Sequence, residues 1–97
     1  MVERMFIVKN EYGIHARPAR MIVETASQFQ SDVLISKNGE EINAKSIMGI
    51  LMLEARQGSE LVLRVEGEDE EKAIKALEKV FATISSFEEG DKAGNLG

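Results

Sequence analysis

The chain of 97 residues contains no cysteine, one histidine and one proline, and its aromatic content is 5%. Without cysteine there can be no disulfide, no thiolate metal site and no cysteine nucleophile. A lone histidine cannot supply the pair of imidazoles a metal site commonly uses, so no metal and no cofactor is expected. Long apolar runs are also missing. The longest, Ile47 to Leu53, is broken by Gly49 and falls far below the roughly 18 residues of a membrane span. The N-terminal Met-Val-Glu-Arg-Met-Phe lacks the basic-then-apolar pattern of a signal peptide. There is no glycine-rich phosphate loop, no aromatic RNA-binding motif, no internal repeat and no low-complexity stretch. The expectation is a cytoplasmic protein with no membrane insertion.

What remains is an ordinary globular composition, 43% hydrophobic and 30% charged, in a length suited to one domain with one core. The domain is expected over residues 1–88, with a frayed tail over 89–97 that has no periodicity. The net charge of −5 argues against nucleic acid as a partner. That charge is unevenly placed. Residues 1–58 carry seven basic and seven acidic side chains, whereas residues 59–97 carry five and ten. The densest acidic run, Glu66-Gly-Glu-Asp-Glu-Glu71, suits a turn and the favourably charged first turn of a helix better than an acid/base pair.

Arg4–Lys9 is short, apolar and β-favourable, and it stops at the turn formers Asn10-Glu-Tyr-Gly13. From Ala16 to Phe29 the apolar residues Ala19, Ile22, Val23, Ala26 and Phe29 recur at helical spacing, and Pro18 suits the first turn, where no N–H is needed. Asp32–Lys37, Asn38-Gly39 and Glu40–Ala44 read as a hairpin with a type I′ turn. Ser46 can cap a short helix running to Glu54 or Ala55, ended by Gln57-Gly58. Ser59–Glu66 alternates as a strand with one buried face. Asp69 opens a last helix whose stripe is Ala73, Ile74, Leu77, Val80, Phe81 and Ile84. The order β-α-β-β-α-β-α predicts an α+β fold: a four-stranded, largely antiparallel sheet with the helices on one face.

Three places carry chemistry. In Gly13-Ile-His-Ala-Arg-Pro-Ala19, His15 stands where a loop becomes a helix. The amides of Ala16 and Arg17 then lack carbonyl partners and, with the helix dipole, form an anion site. Arg17 adds a permanent charge suited to phosphate oxygens, and Arg20 adds positive potential one turn on. A neutral imidazole so placed can attack phosphorus and hold the phosphoryl group. Position alone favours a plain surface histidine, and a helix dipole disfavours protonated imidazole without making it a nucleophile. In Lys45-Ser-Ile-Met-Gly-Ile-Leu-Met-Leu53, Ile50 and Leu53 suit the core while Ile47, Met48 and Leu51 share the other side. That side is either a docking patch for a partner or is itself buried. Ser46 is a cap and also a candidate phosphorylation site, because a dianion is tolerated at a helix N-terminus.

Gly13-Ile-His-Ala-Arg-Pro-Ala19 and Lys45-Ser-Ile-Met-Gly49, at this separation, resemble the HPr family, the histidine-containing phosphocarriers of the bacterial phosphoenolpyruvate-dependent sugar phosphotransferase system. The resemblance runs from about Val2 to Ile84. It implies an open-faced β-sandwich and a phosphoryl carrier rather than an enzyme with turnover, accepting phosphate on Nδ1 of His15 from enzyme I and passing it to the A components of sugar permeases. Arg17 matches the phosphate-contacting arginine, and Ser46 the serine modified by HPr kinase/phosphorylase, which favours binding to a transcriptional regulator. Ile47, Met48 and Leu51 match the docking patch. The implied protein is a monomer. Arg20 and Glu24 depart from the family, where position 20 is commonly small or hydroxylated and position 24 often basic. Because His15 is present, the histidine-lacking regulatory paralogues are not the match. The alternative reading is a regulatory protein controlled at Ser46 with little part in sugar transport. A ferredoxin-like ligand sensor shares the element order, but no pocket signature supports it.

Overall fold

The computed structural model of the protein describes residues 1–87, so the tail expected over 89–97 and the outer limit of the expected domain lie outside the described residues. The elements are β1 (Val2–Ile7), α1 (Ala16–Ala26), β2 (Asp32–Lys37), β3 (Glu40–Asn43), α2 (Ile47–Met52), β4 (Glu60–Glu66) and α3 (Glu70–Ser85). This is the order read from the sequence. The strands form one sheet in the order β1-β4-β2-β3, every neighbouring pair antiparallel.

Strand β4 shows how the layers arise. Leu61, Leu63 and Val65 are buried while the residues between them are not, because successive side chains on a strand point to opposite faces. The buried set joins Val33 and Ile35 of β2 against Ala19, Ile22 and Ala26 of α1 and Ala73, Ile74, Leu77, Phe81 and Ile84 of α3. Each fully buried Ile or Leu in this layer contributes about 1.5–3 kcal/mol. The opposite face of the sheet is open. There Arg64 lies between Glu3 of β1 and Leu34 of β2 in register and pairs with Glu3 at 3.1 Å and Glu41 at 2.9 Å. These are exposed pairs of small worth. The result is the open-faced sandwich, helices on one side and charge on the other.

The hairpin turns as expected, with Asn38 at φ 51° and Gly39 at φ 85°, the two positive angles of a type I′ turn. Two helix ends differ from expectation. Helix α1 stops at Ala26 rather than Phe29, because the Gln28 and Phe29 amides tighten onto Thr25 and Ala26, i→i+3 bonds that close the last turn. Phe29 still packs against the core from the turn that follows. Helix α2 ends at Met52, not at Glu54 or Ala55, and Glu54 adopts φ 50°. Lys37 on β2 donates to the Leu53 and Glu54 carbonyls at 2.9 Å each, satisfying the helix end with a cation where the dipole favours one. Gln57-Gly58 makes the next turn into β4 instead, with Gly58 at φ 91°.

Asp69 stands at the N-cap of α3, but its side chain does not cap that helix. Its carboxylate accepts from the amides of Gln30, at 2.9 Å, and Ser31, at 3.0 Å, and from the Ser31 hydroxyl. The loop entering β2 is thereby tied to the start of α3. The Ser31 hydroxyl first, then the Gln30 amide, hold the Asp69 carboxyl below its ordinary value of 3.8. A carboxylate depressed in the folded state stabilises the fold above its unfolded pKa, and that contribution is lost as pH falls through the folded value. Asp69→Ala should therefore lower the urea midpoint at pH 7. Its deficit against the wild type should shrink as pH falls below 3.8, which urea titrations across pH would measure.

Candidate functional site

After β1 the chain turns onto the segment that follows α2. The Val8 amide donates to the Ser59 carbonyl at 2.9 Å, the Gly58 amide to the Val8 carbonyl at 2.7 Å, and the Gln57 side-chain amide to the Lys9 carbonyl at 2.9 Å. Asn10 is fully buried. Its Nδ2 donates to the Gly13 carbonyl at 2.6 Å while the Gly13 amide donates to the Asn10 carbonyl at 3.2 Å, so one short polar side chain closes the turn. Gly13 has φ 68°, and a Cβ there would overlap the Ala55 carbonyl oxygen and the Arg56 Cα. Only glycine permits both the angle and the approach. The Ile14 amide then donates to the Ala55 carbonyl at 2.8 Å, and the Ile14 side chain is buried.

This anchored loop delivers His15 to the N-cap of α1. Its backbone is extended, and its carbonyl accepts the first helical bond from the Ala19 amide at 2.9 Å. Its imidazole makes no capping bond and is half-exposed. The ring is therefore not consumed in holding the helix, in contrast to a serine or aspartate at the same place. Beside it stand the amides of Ala16 and Arg17, in the first turn where a helix has no acceptors of its own. Tyr12 meets His15 edge-on, ring centroids 6.3 Å apart. The Arg17 guanidinium carbon lies over the Phe87 ring, 4.7 Å from its centroid. Arg20 and Glu24 follow on α1, both exposed. Pro18 is buried within the first turn.

Helix α2 lies against α1. Ser46 caps it, the hydroxyl accepting from the Gly49 amide at 3.1 Å. Ile50 and Leu53 face the core, as expected. On the other side Ile47 and Met48 are exposed, at 36% and 65%, but Leu51 is half-buried and packs on the core. Met52, 64% exposed and one turn from Met48 on the same helical face, adds to the exposed surface beside it.

Four residues that shape this region escape a reading of sequence alone. Asn10 reads there only as one turn former among several, though Asn three residues before a glycine is a usable signal for a closed turn. Glu54, Met52 and Phe87 carry no local signal, since their roles depend on segments distant in the chain. A groove of about 380 Å³ between β1 and α3 is lined by neither His15, Arg17 nor Ser46. No cluster of metal-ligating side chains occurs among the described residues. The chemistry available here is that of a half-exposed imidazole at a helix start, with the first-turn amides and an arginine on the same turn.

Comparison with known proteins matches this arrangement. A family described as the PTS HPr component phosphorylation site covers residues 2–83. The chain is 47% identical over 81 residues to the phosphocarrier protein HPr of Xylella fastidiosa strain 9a5c, spanning 84% of this chain and 91% of that protein. It is 46% identical over 89 residues to the phosphocarrier protein HPr of Treponema pallidum strain Nichols, spanning 92% and 99%. The crystal structure of HPr-C-His from Thermoanaerobacter tengcongensis superposes with a TM-score of 0.83 at 46% identity, covering 88% of this chain and 96% of that one. That of an HPr dimer from the same organism superposes with 0.69 at 47% identity, covering 86% and 95%. Among the described residues no helix is long and apolar enough to cross a membrane.

The tight approach of Gly13 generates a direct test. Gly13→Ala should cost about 2 kcal/mol or more of stability, the combined penalty of a positive φ and a backbone overlap, read as a fall in the chemical-denaturation midpoint.

Proposed function

Because the chain belongs to the HPr family of phosphocarriers, we propose that it accepts a phosphoryl group on His15 from phosphoenolpyruvate-charged enzyme I and passes it to the A components of sugar permeases in the cytoplasm. The observation that carries this reading is the His15 imidazole, half-exposed and unused by the helix it caps. The Nδ1 lone pair forms a bond to phosphorus as the bond from phosphorus to the donor breaks, its electron pair leaving with the donor. This uses the neutral ring with its proton on Nε2. The Ala16 and Arg17 amides and the Arg17 guanidinium then meet the phosphoryl oxygens. No step needs a cofactor. Transfer onward reverses the same chemistry, so the group that receives phosphate also donates it.

The exposed Ile47 and Met48 and the half-buried Leu51, extended by the exposed Met52, support a docking face on α2, which packs against α1, with Arg20 contributing positive potential toward acidic partner surfaces. Ser46 adds regulation to this reading. Its hydroxyl already lies at the start of α2, where a phosphate is compatible with the helix dipole, while two negative charges beside Ile47 and Met48 would weaken apolar docking. HPr kinase/phosphorylase is the enzyme proposed to place that phosphate, and a transcriptional regulator the partner that reads it.

Incubation with enzyme I and phosphorus-labelled phosphoenolpyruvate should give an acid-labile, alkali-stable adduct on the wild type and on Ser46→Ala, and none on His15→Ala. Label of that kind persisting in His15→Ala would overturn the assignment. In the same assay Met48→Asp should raise the KM for charged enzyme I about tenfold, the loss of one well-buried interface contact, with kcat little changed.

A further inference from the structure

Arg17 carries a long side chain with many rotamers, and a guanidinium free to wander would meet an anion at His15 only part of the time. In this fold it does not wander. The chain leaving α3 brings Phe87 to the Arg17 side chain, whose guanidinium carbon lies over the ring at 4.7 Å from its centroid. The ring is itself held. The Phe87 amide donates to the Ile84 carbonyl at 2.9 Å, just past the end of α3, and the side chain packs half-buried on the core. Ile84, one turn earlier, is buried in the same core. Phe87 is thus an aromatic surface packed partly on the core at the end of α3 and presented to an arginine on α1.

We propose that Phe87 is a positioning residue for the anion site at His15: its ring pre-orients the Arg17 guanidinium beside the start of α1. The proposal deepens the phosphocarrier reading and rests on it for the identity of the anion. A guanidinium stacks through its face and bonds oxyanions through its edge, so contact with the ring and contact with a phosphoryl group are compatible. The ring contact then meets part of the ordering that phosphate binding requires of this side chain. The contact joins residues 70 positions apart, which makes the end of α3 part of the site although it carries no group that touches phosphorus.

The test uses inorganic phosphate as the probe, followed by NMR at the Ala16 and Arg17 amides, and therefore does not depend on enzyme I. Phe87→Leu keeps bulk on the core but removes the aromatic face. It should raise the phosphate dissociation constant about two- to fivefold, the range of an exposed cation–π contact, and abolish the ring-current shift of the Arg17 side-chain protons. Phe87→Tyr should restore both. In an Arg17→Ala background Phe87→Leu should have no further effect, because its action runs through that side chain. An unchanged dissociation constant in Phe87→Leu, or an equal loss with and without Arg17, would overturn the proposal. Separate labelling of the wild type by charged enzyme I reads the phosphocarrier assignment, so either idea can fail without the other.

Discussion

Gly13 rests on the Ala55–Arg56 backbone more closely than any side chain would allow, and beside it the Ile14 amide closes onto the Ala55 carbonyl. The placement of His15 follows from that pair of contacts. One residue further on, the chain must begin α1, so the imidazole is set at the helix start with little freedom left to its backbone. The partner segment is itself shaped by Glu54 in a left-handed conformation and by Lys37 on the last carbonyls of α2. Ordering of the loop that carries His15 therefore depends on how α2 ends. Strain at Glu54 is tolerated because a cation from β2 and the return to Ala55 over-determine it.

The same anchoring serves a carrier's chemistry. A group that receives from one protein and gives to another must be reachable from solvent, which excludes burial in a pocket. It must also hold its geometry without substrate-induced closure. A surface imidazole on a loop bolted to a second loop meets both needs. Charge follows the same division. The excess of acid lies in residues 59–97, where Glu70 accepts from the Gly67 amide and pairs with the N-terminal ammonium. Arg17 and Arg20 lie on α1, in the half of the chain that carries no net charge.

How much of this could be read from the order of residues depends on range. The hairpin at Asn38-Gly39, the cap at Ser46 and the apolar stripe of α3 are set by neighbours three or four positions away, and all three stand where expected. His15, Ala16 and Arg17 form a contiguous motif, and the junction of loop and helix that gives them meaning is itself local. Leu51 shows where range matters: helical spacing places it with Ile47, but how far it is covered depends on α1 and the sheet, and it stands half-buried against the core while Met52 is exposed. The stop at Met52 is of the same kind, because Lys37 reaches it from another strand.

Family and element order were thus legible in the chain, since each rests on short-range pattern and residue chemistry. Asn10 inside the turn, Asp69 clasping Ser31 rather than capping its own helix, and Phe87 beneath Arg17 came from folding. Hydrogen bonds and ring contacts of that kind join positions tens of residues apart, and no local periodicity encodes which distant partner a side chain will meet.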